Sequence, residues 1–252
     1  MKFLGVIPAR YKSSRFPGKP LADIRGKSMI QRVYEQASAA EKLDKVIVAT
    51  DDKRIYQHVK DFGGEVQMTS DRHVSGTDRC AEVVESFGKE YDVVINIQGD
   101  EPFVHPVQID SLAKAFSLDT VDIATLMKRV DKVEELFNPN KVKLVLNRWK
   151  EAIYFSRHPI PYCKTADPEH WLQHHNYFKH IGMYGYRRSV LRIITGIEPT
   201  QLELAESLEQ LRWLDSGYTI KAIETDLESP NIDTPEDLEE VMNNDAIWAE
   251  YL

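Results

Sequence analysis

A mixed α/β domain with a largely parallel sheet is predicted by three features of the 252-residue sequence. Short apolar runs of strand length alternate with stretches whose apolar residues recur at helical spacing, giving the order strand, helix, strand, helix. Two of the runs, Val46-Ile47-Val48-Ala49 and Val93-Val94-Ile95-Asn96-Ile97, read as strands buried in the middle of a sheet. The length suits one large α/β domain, or a domain with an appendage, and buries a sizeable core without any staple.

The elements follow in order. Phe3 to Ile7 is a first strand, and Asp23 to Lys27 is a turn. Ser28 caps a helix whose positions Ile30, Val33, Tyr34 and Ala37 share a face. After the strand at Val46, a second helix presents Ile55, Val59 and Phe62, is stopped by Gly63-Gly64, and leads to a short strand around Val66. The polar stretch Thr69 to Asp78 enters a helix carrying Arg79, Ala81, Val84 and Phe87; its Ser75 serves either as a cap or as a ligand group. Beyond the strand at Val93 come a helix over Val107 to Phe116 and strands over Ile123 to Met127, Val142 to Leu146 and Ala152 to Phe155, the last two joined at Asn147-Arg148-Trp149-Lys150. The long loop after Arg157 is functional, mobile or a subunit contact. Phe178 to Tyr186 alternates like a strand, with two glycines that weaken it and suit close approach to a ligand. A helix over Leu202 to Ser216 places Leu204, Leu208 and Leu211 inward and Glu206, Glu209, Gln210 and Arg212 outward. Thr234-Pro235 opens a final helix, leaving Asp233 before it without a capping duty.

The first strand runs into a loop carrying Arg10, Lys12, Arg15 and Lys19, kept from helix by Pro17, Gly18 and Pro20. Four cations at the carboxyl end of a strand, beside backbone N–H groups, point to a small polyanion such as a triphosphate. The spacing is neither that of the Walker loop nor that of the dinucleotide fingerprint. A net charge of −8 argues against nucleic acid as the main partner, since that needs an extended basic face. The first apolar run is too short for a signal peptide or a membrane span, and Cys80 and Cys163 lack metal spacing, so a cytoplasmic protein without membrane partners is expected. Asp100 follows the buried strand at Val93, a costly place for a carboxylate unless it meets solvent or a cation. It is the first candidate ligand for Mg2+, with Glu101 a competitor. His170, His174, His175 and His180 come without a matching Cys or carboxylate set and read mostly as solvated residues.

Together these segments resemble the 3-deoxy-manno-octulosonate cytidylyltransferases over essentially the whole chain. The resemblance is carried by Ile7-Pro8-Ala9-Arg10 with Arg15 to Leu21, Ser75-Gly76-Thr77-Asp78-Arg79, Asn96-Ile97-Gln98-Gly99-Asp100-Glu101-Pro102, Phe137-Asn138-Pro139-Asn140 with Val142-Lys143, Tyr154-Phe155-Ser156-Arg157, His180 to Tyr186, Leu208 to Arg212, and Asp233 to Leu238, in that order. It implies a nucleotidyltransferase fold, a Rossmann-like and mainly parallel sheet, with a nucleotide-binding core over 1–120 and 200–252. A smaller sugar-binding and dimerisation portion would span 121–199 of a cytoplasmic homodimer. The implied reaction joins CTP to 3-deoxy-D-manno-octulosonate (Kdo), releases pyrophosphate and yields CMP-Kdo for lipopolysaccharide synthesis.

By motif position the resemblance assigns Arg10, Ser13 and Lys19 to nucleotide phosphates, Ser75, Arg79 and Gln98 to the nucleotide and substrate pocket, and Asp100 and Asp233 to Mg2+. Arg157, His180, Tyr184, Glu209 and Gln210, with Gln98, become Kdo contacts; Arg157 suits the carboxylate, and Glu209 and Gln210 suit hydroxyls. The attack of the sugar's anomeric hydroxyl on the α-phosphorus would be direct, with charge stabilised by Arg10, Lys19 and the metal. Residues 163–178 receive no role, and Asn231 stands where glycine is expected, beside Asp233. Sialic acid or 8-amino-Kdo is the close alternative substrate, and a nucleotide-binding regulator without chemistry is the distant one.

Overall fold

Apolar strands at the middle of the chain's sheets set the architecture. The computed structural model describes residues 1–12, 15–87, 89–245, 247 and 248. In chain order the elements are β1 Phe3–Ala9, β2 Asp23–Ile24, β3 Lys27–Ser28, α1 Met29–Ser38, β4 Lys45–Thr50, α2 Lys53–Asp61, β5 Val66–Met68, α3 Gly76–Ser86, β6 Val93–Asn96, α4 Pro106–Lys114, β7 Ile123–Arg129, α5 Val133–Phe137, β8 Lys143–Leu146, β9 Ala152–Ser156, α6 Trp171–His174, β10 Phe178–Arg187, α7 Arg188–Ile194, α8 Gln201–Glu206, α9 Gln210–Asp215, β11 Ile220–Glu224 and α10 Pro235–Asn243. They form two compact units, Met1–Ala113 with Glu228–Leu252, and Lys114–Leu227. Residues 200–227, expected with the nucleotide-binding core, thus group with the second unit, because β11 pairs in parallel with β7 from Ile220↔Ile123 to Glu224↔Met127.

In the first unit the strands lie in the order β6-β1-β4-β5, all parallel. β1 is central; Leu4, Val6 and Ile7 are fully buried, as are Val93, Val94 and Ile95 of β6. Full burial on both faces explains why these runs show no polar alternation. The helices start where their side chains say they should. Ser28 Oγ accepts from Gln31 N, and Ser75 and Thr234 each form a reciprocal capping box, with Asp78 and Asp237. Each such cap is worth about 1 kcal/mol. Gly63 stops α2 in the left-handed region at φ 81°. A cluster of Ile24, Met29, Phe103, Ile232, Val241 and Trp248 packs α10 onto the β2–β3 side of the unit and so anchors the residue that follows Ile232.

In the second unit β7 is flanked by β11 in parallel and β10 in antiparallel, while β8 pairs with β10 and β9. β10 is a ten-residue strand despite Gly182 and Gly185; the register with β7 slips between Ile181 and Tyr184, so the glycine segment is spent on an irregularity rather than on breaking the strand. The loop after β9 has a core of its own: Trp171 and Tyr177 stack, the Trp171 indole donates to Ala166 O, and the Tyr177 hydroxyl donates to Pro161 O.

The expected helix over 202–216 is two helices. Ser207 sits at φ 53°, in the left-handed region, between α8 and α9. Leu204, expected inward, is 61 % exposed, whereas Leu208 and Leu211 are buried. Gln210, expected outward, is buried, and Glu206 turns toward β9, where it accepts from Ser156 Oγ at 2.6 Å and Arg157 N at 2.9 Å. Glu206, the last residue of α8, thus ties the break to the end of β9.

Candidate active site

At the carboxyl end of β1 the first unit opens a cleft of about 260 Å3, lined by Pro8, Ala9, Arg10, Lys12, Arg15, Lys19, Pro20, Gln98, Gly99, Asp100 and Asp233. Gly99 lets the turn after β6 close onto β1, because a Cβ there would lie 2.6 Å from Pro8 O. Gly18, at φ 75°, lets the basic loop fold back, and its N–H donates to Tyr11 O at 2.9 Å. The short 3-10 turn Lys19–Leu21 then starts with Lys19 aimed into the cleft.

The floor of the cleft is a cation between two acids. Lys19 Nζ lies 2.8 Å from Asp100 Oδ2, 3.4 Å from Asp233 Oδ1 and 3.0 Å from Ile232 O. Arg15 Nη2 reaches Asp233 Oδ1 at 3.1 Å. Lys19 is 12 % exposed, but Asp100 and Asp233 keep 36 % and 40 % of their side-chain surface. Asp233 is held by its backbone: Asp237 Oδ2 accepts from the N–H groups of both Asp233 and Thr234 at 2.8 Å, which leaves the Asp233 carboxylate free of the capping box. Asn231 does not keep this segment away, since Ile232 O reaches Lys19 and Asn231 is not among the residues with positive φ. Glu101, the competing acid, is buried and is not among the residues that line the cleft.

The remaining nucleotide-side residues divide. Gln98 lines the cleft. Arg10 does too, and its Nη2 donates to His73 O at 2.6 Å and Ser75 O at 3.3 Å, tying the basic loop to the entry of α3. The Ser75 hydroxyl is engaged as the α3 cap. Arg79 has no exposed surface and does not line the cleft; it donates to Thr69 Oγ1 and lies 3.5 Å from Asp51. Its place is therefore inside the unit, bracing the 69–75 segment, and burial lowers its pKa while Asp51 opposes. Ser13 lies outside the described residues.

The second unit gathers a different set. His180 and Tyr184 project from β10 across its irregular stretch, with ring centroids 5.2 Å apart. His180 Nε2 meets Thr125 Oγ1 at 2.8 Å, and the same hydroxyl bonds to Met183 O at 2.8 Å. Phe155 stands edge-on to the imidazole and Trp213 edge-on to the phenol. Burial pushes His180 down to about 3, so the imidazole is neutral at pH 7. Burial, reinforced by the charge of Glu209, pushes the Tyr184 hydroxyl well above its ordinary value. Thr125 hydrogen-bonds that buried hydroxyl and opposes the shift. Glu209 and Gln210 open α9. Arg157 is the best-anchored of the set: Nε donates to Glu206 O at 2.7 Å, Nη1 to Pro139 O at 3.1 Å and Nη2 to Ser207 O at 3.2 Å.

Sequence reasoning gave no role to Thr125, Glu206, Trp213 or Lys143, all of which shape this second cluster. Lys143 carried a signal, a lysine inside the apolar run Val142-Lys143-Leu144-Val145. Glu206 carried none, because its helix ends for tertiary reasons. Among the described residues no three His, Cys, Asp or Glu side chains group as metal ligands. Asp100 and Asp233 nevertheless converge on one cationic nitrogen, and two partly exposed carboxylates suit a divalent cation with oxygen ligands.

A model of the cytidylyltransferase family matches residues 4–223. The 3-deoxy-manno-octulosonate cytidylyltransferase of Parabacteroides distasonis is 56 % identical over 246 residues, covering 96 % of this chain and 97 % of its own. That of Bacteroides thetaiotaomicron is 54 % identical over 250 residues, covering 97 % and 99 %. Among solved structures, a CMP:2-keto-3-deoxy-manno-octonic acid synthetase complexed with CTP superimposes with a TM-score of 0.91 at 43 % identity, covering all of both chains. A glucose-1-phosphate thymidylyltransferase from Bacillus anthracis, at 16 % identity and a TM-score of 0.62, shares the fold alone.

Proposed function

The chain belongs to the 3-deoxy-manno-octulosonate cytidylyltransferase family, and on that premise we propose how its residues divide the work of joining CTP to Kdo. The enzyme makes CMP-Kdo and pyrophosphate. The observation that carries the assignment of residues is the convergence of Asp100 and Asp233 on Lys19 at the carboxyl end of β1.

In this reading Arg10, Lys12, Arg15 and Lys19 gather the triphosphate, with Ser13 from the same loop, while Gln98 and the entry of α3 at Ser75 flank the nucleotide. Asp100 and Asp233 would hold Mg2+, which would neutralise charge on the phosphate oxygens. Lys19, on the floor of the same cleft, meets a phosphate oxygen as a point charge. Arg157 takes the Kdo carboxylate, and Glu209, Gln210, His180 and Tyr184 take its hydroxyls. A neutral imidazole and an unionised phenol suit that task, since both hydrogen-bond without adding charge beside an anion. The anomeric hydroxyl forms its bond to the α-phosphorus as the α–β anhydride bond breaks, its proton passes to water, and pyrophosphate departs toward the cations of the basic loop. No covalent enzyme intermediate is required. A homodimer, a cytoplasmic setting and a place in lipopolysaccharide synthesis rest on the family; no helix among the described residues is long and apolar enough to cross a membrane.

The test is pyrophosphate release with CTP, Mg2+ and Kdo, beside sialic acid, 8-amino-Kdo, ATP and UTP, and with sugar omitted. Selective release with CTP and Kdo supports the reading. Release only with another acidic sugar overturns the sugar assignment, and a folded protein that binds CTP yet releases nothing is a regulator instead. Replacing Mg2+ by Mn2+ or Ca2+ in the same assay tests the choice of ion.

A further inference from the structure

Two buried lysines stand opposite one another in the second unit. Lys143 on β8 is paired in register with Lys179 on β10, and the residues are 0 % and 3 % exposed. Like charges directly across antiparallel strands destabilise, and a buried ammonium without acceptors is costly. Each is met by acceptors, and most of them lie on a single segment. Lys179 Nζ lies 2.7 Å from Glu135 Oε1 on α5. Lys143 Nζ donates to Asn138 O at 2.9 Å and Lys141 O at 2.6 Å, just past α5, and to Arg157 O at 2.6 Å. Arg157 grips the same segment through Pro139 O and the α8–α9 break through Glu206 O and Ser207 O.

The donor count is informative. An ammonium has three N–H bonds, and Lys143 uses one on each of three carbonyls; a guanidinium has five, and three of Arg157's are committed. The two left over are one on each terminal nitrogen, and both are available to a carboxylate. We propose that Lys143 is a positioning residue for the sugar-acid subsite, its ammonium holding the 138–141 segment and the Arg157 backbone so that the guanidinium presents those two N–H bonds to the substrate carboxylate. The proposal rests on the assignment of Arg157 to the Kdo carboxylate made above.

Burial lowers Lys143 to about 8, with Glu206 opposing and Arg157 adding to the shift. Deprotonation takes away one donor and turns a lone pair toward a carbonyl, so the clasp loosens as pH rises through that value. The charged and titratable groups around Lys143 are Tyr154 and Arg157 from β9 and its end, Lys179 from β10, Glu135 and Lys141 from the held segment, and Glu206 from α8.

Steady-state kinetics with Kdo and CTP varied separately, for the wild type, Lys143→Met and Arg157→Ala, tests this. Lys143→Met is expected to raise the KM for Kdo by about ten- to a hundredfold, the cost of a misplaced binding group, with the KM for CTP unchanged. The wild-type KM for Kdo rises from pH 7 to 9, and that rise is absent from Lys143→Met. If Arg157→Ala raises the Kdo KM but folded Lys143→Met does not, the positioning role is overturned while the Arg157 assignment stands. If Arg157→Ala leaves the Kdo KM unchanged, the assignment itself is overturned. Should Lys143→Met not fold, the wild-type series decides: a Kdo KM flat from pH 7 to 9 overturns the proposal.

Discussion

Asp100 and Asp233 in the first unit keep more than a third of their side-chain surface in water, whereas the Tyr184 hydroxyl in the second is buried and the neighbouring imidazole of His180 is held neutral. The contrast fits the roles proposed above for the two clusters. A carboxylate that must exchange an ammonium for another cation needs water to pass through and must stay ionised, so its site is shallow. Groups that read the hydroxyls of a sugar gain from the opposite condition, since a hydrogen bond to a buried, fixed partner is not diluted by solvent. One unit sets half-exposed acids beside a cationic loop; the other buries a neutral imidazole and a phenol on a strand.

The contrast breaks most plainly at Asp100. Asp100→Asn removes charge from a partly hydrated site without changing size, and we expect turnover to fall by about 10²–10³-fold while circular dichroism stays unchanged; near-normal Mg2+-dependent pyrophosphate release would sink its role. The second unit should instead show itself as acid lability. Because His180 titrates at about 3 in the fold and near 6.5 when unfolded, the unfolded chain alone takes up the proton between those values. Its contribution to stability is complete above about 6.5 and is lost as pH falls, by at most about 1.4 kcal/mol per pH unit. Urea midpoints of the wild type and His180→Gln between pH 7 and 5 measure this; parallel curves would contradict it. Gly99→Ala tests whether the cleft depends on close backbone approach: its Cβ meets Pro8 O at 2.6 Å, so a loss of about 1–3 kcal/mol is expected together with weaker CTP binding. An unchanged melting temperature and CTP affinity would mean that the turn can retreat freely. The smallest effect is expected at Leu204, where Leu204→Ser should cost less than about 0.5 kcal/mol because the side chain is exposed. A loss of several kcal/mol would show that another surface covers it.

How much of this was legible in the sequence depends on how far each feature reaches. Buried runs such as Val93-Val94-Ile95, the caps Ser28 and Thr234, and the Gly63 stop are local in cause, and each forms where the residues imply. The convergence of Asp100 and Asp233 was legible only through separated motifs taken together, because nothing near Asp233 in the chain reveals that Lys19 lies 3.4 Å away. Arg79 shows the limit of motif position: its string suits a pocket, but the side chain turns inward to Asp51 and Thr69.

Chain chemistry by itself determined the α/β class, the parallel strands of the first unit, the cationic loop at a strand end and the acids available to face it, because hydrophobic period, capping and proline or glycine punctuation act over a few residues. Tertiary structure alone decided that Ser207 breaks a helix whose apolar spacing runs on, that Gln210 is buried and Leu204 is not, and that Lys143 spends its ammonium on three carbonyls. In each case a partner from a distant part of the chain offers a hydrogen bond or a packing surface that outweighs the few tenths of a kcal/mol by which local propensity separates the alternatives.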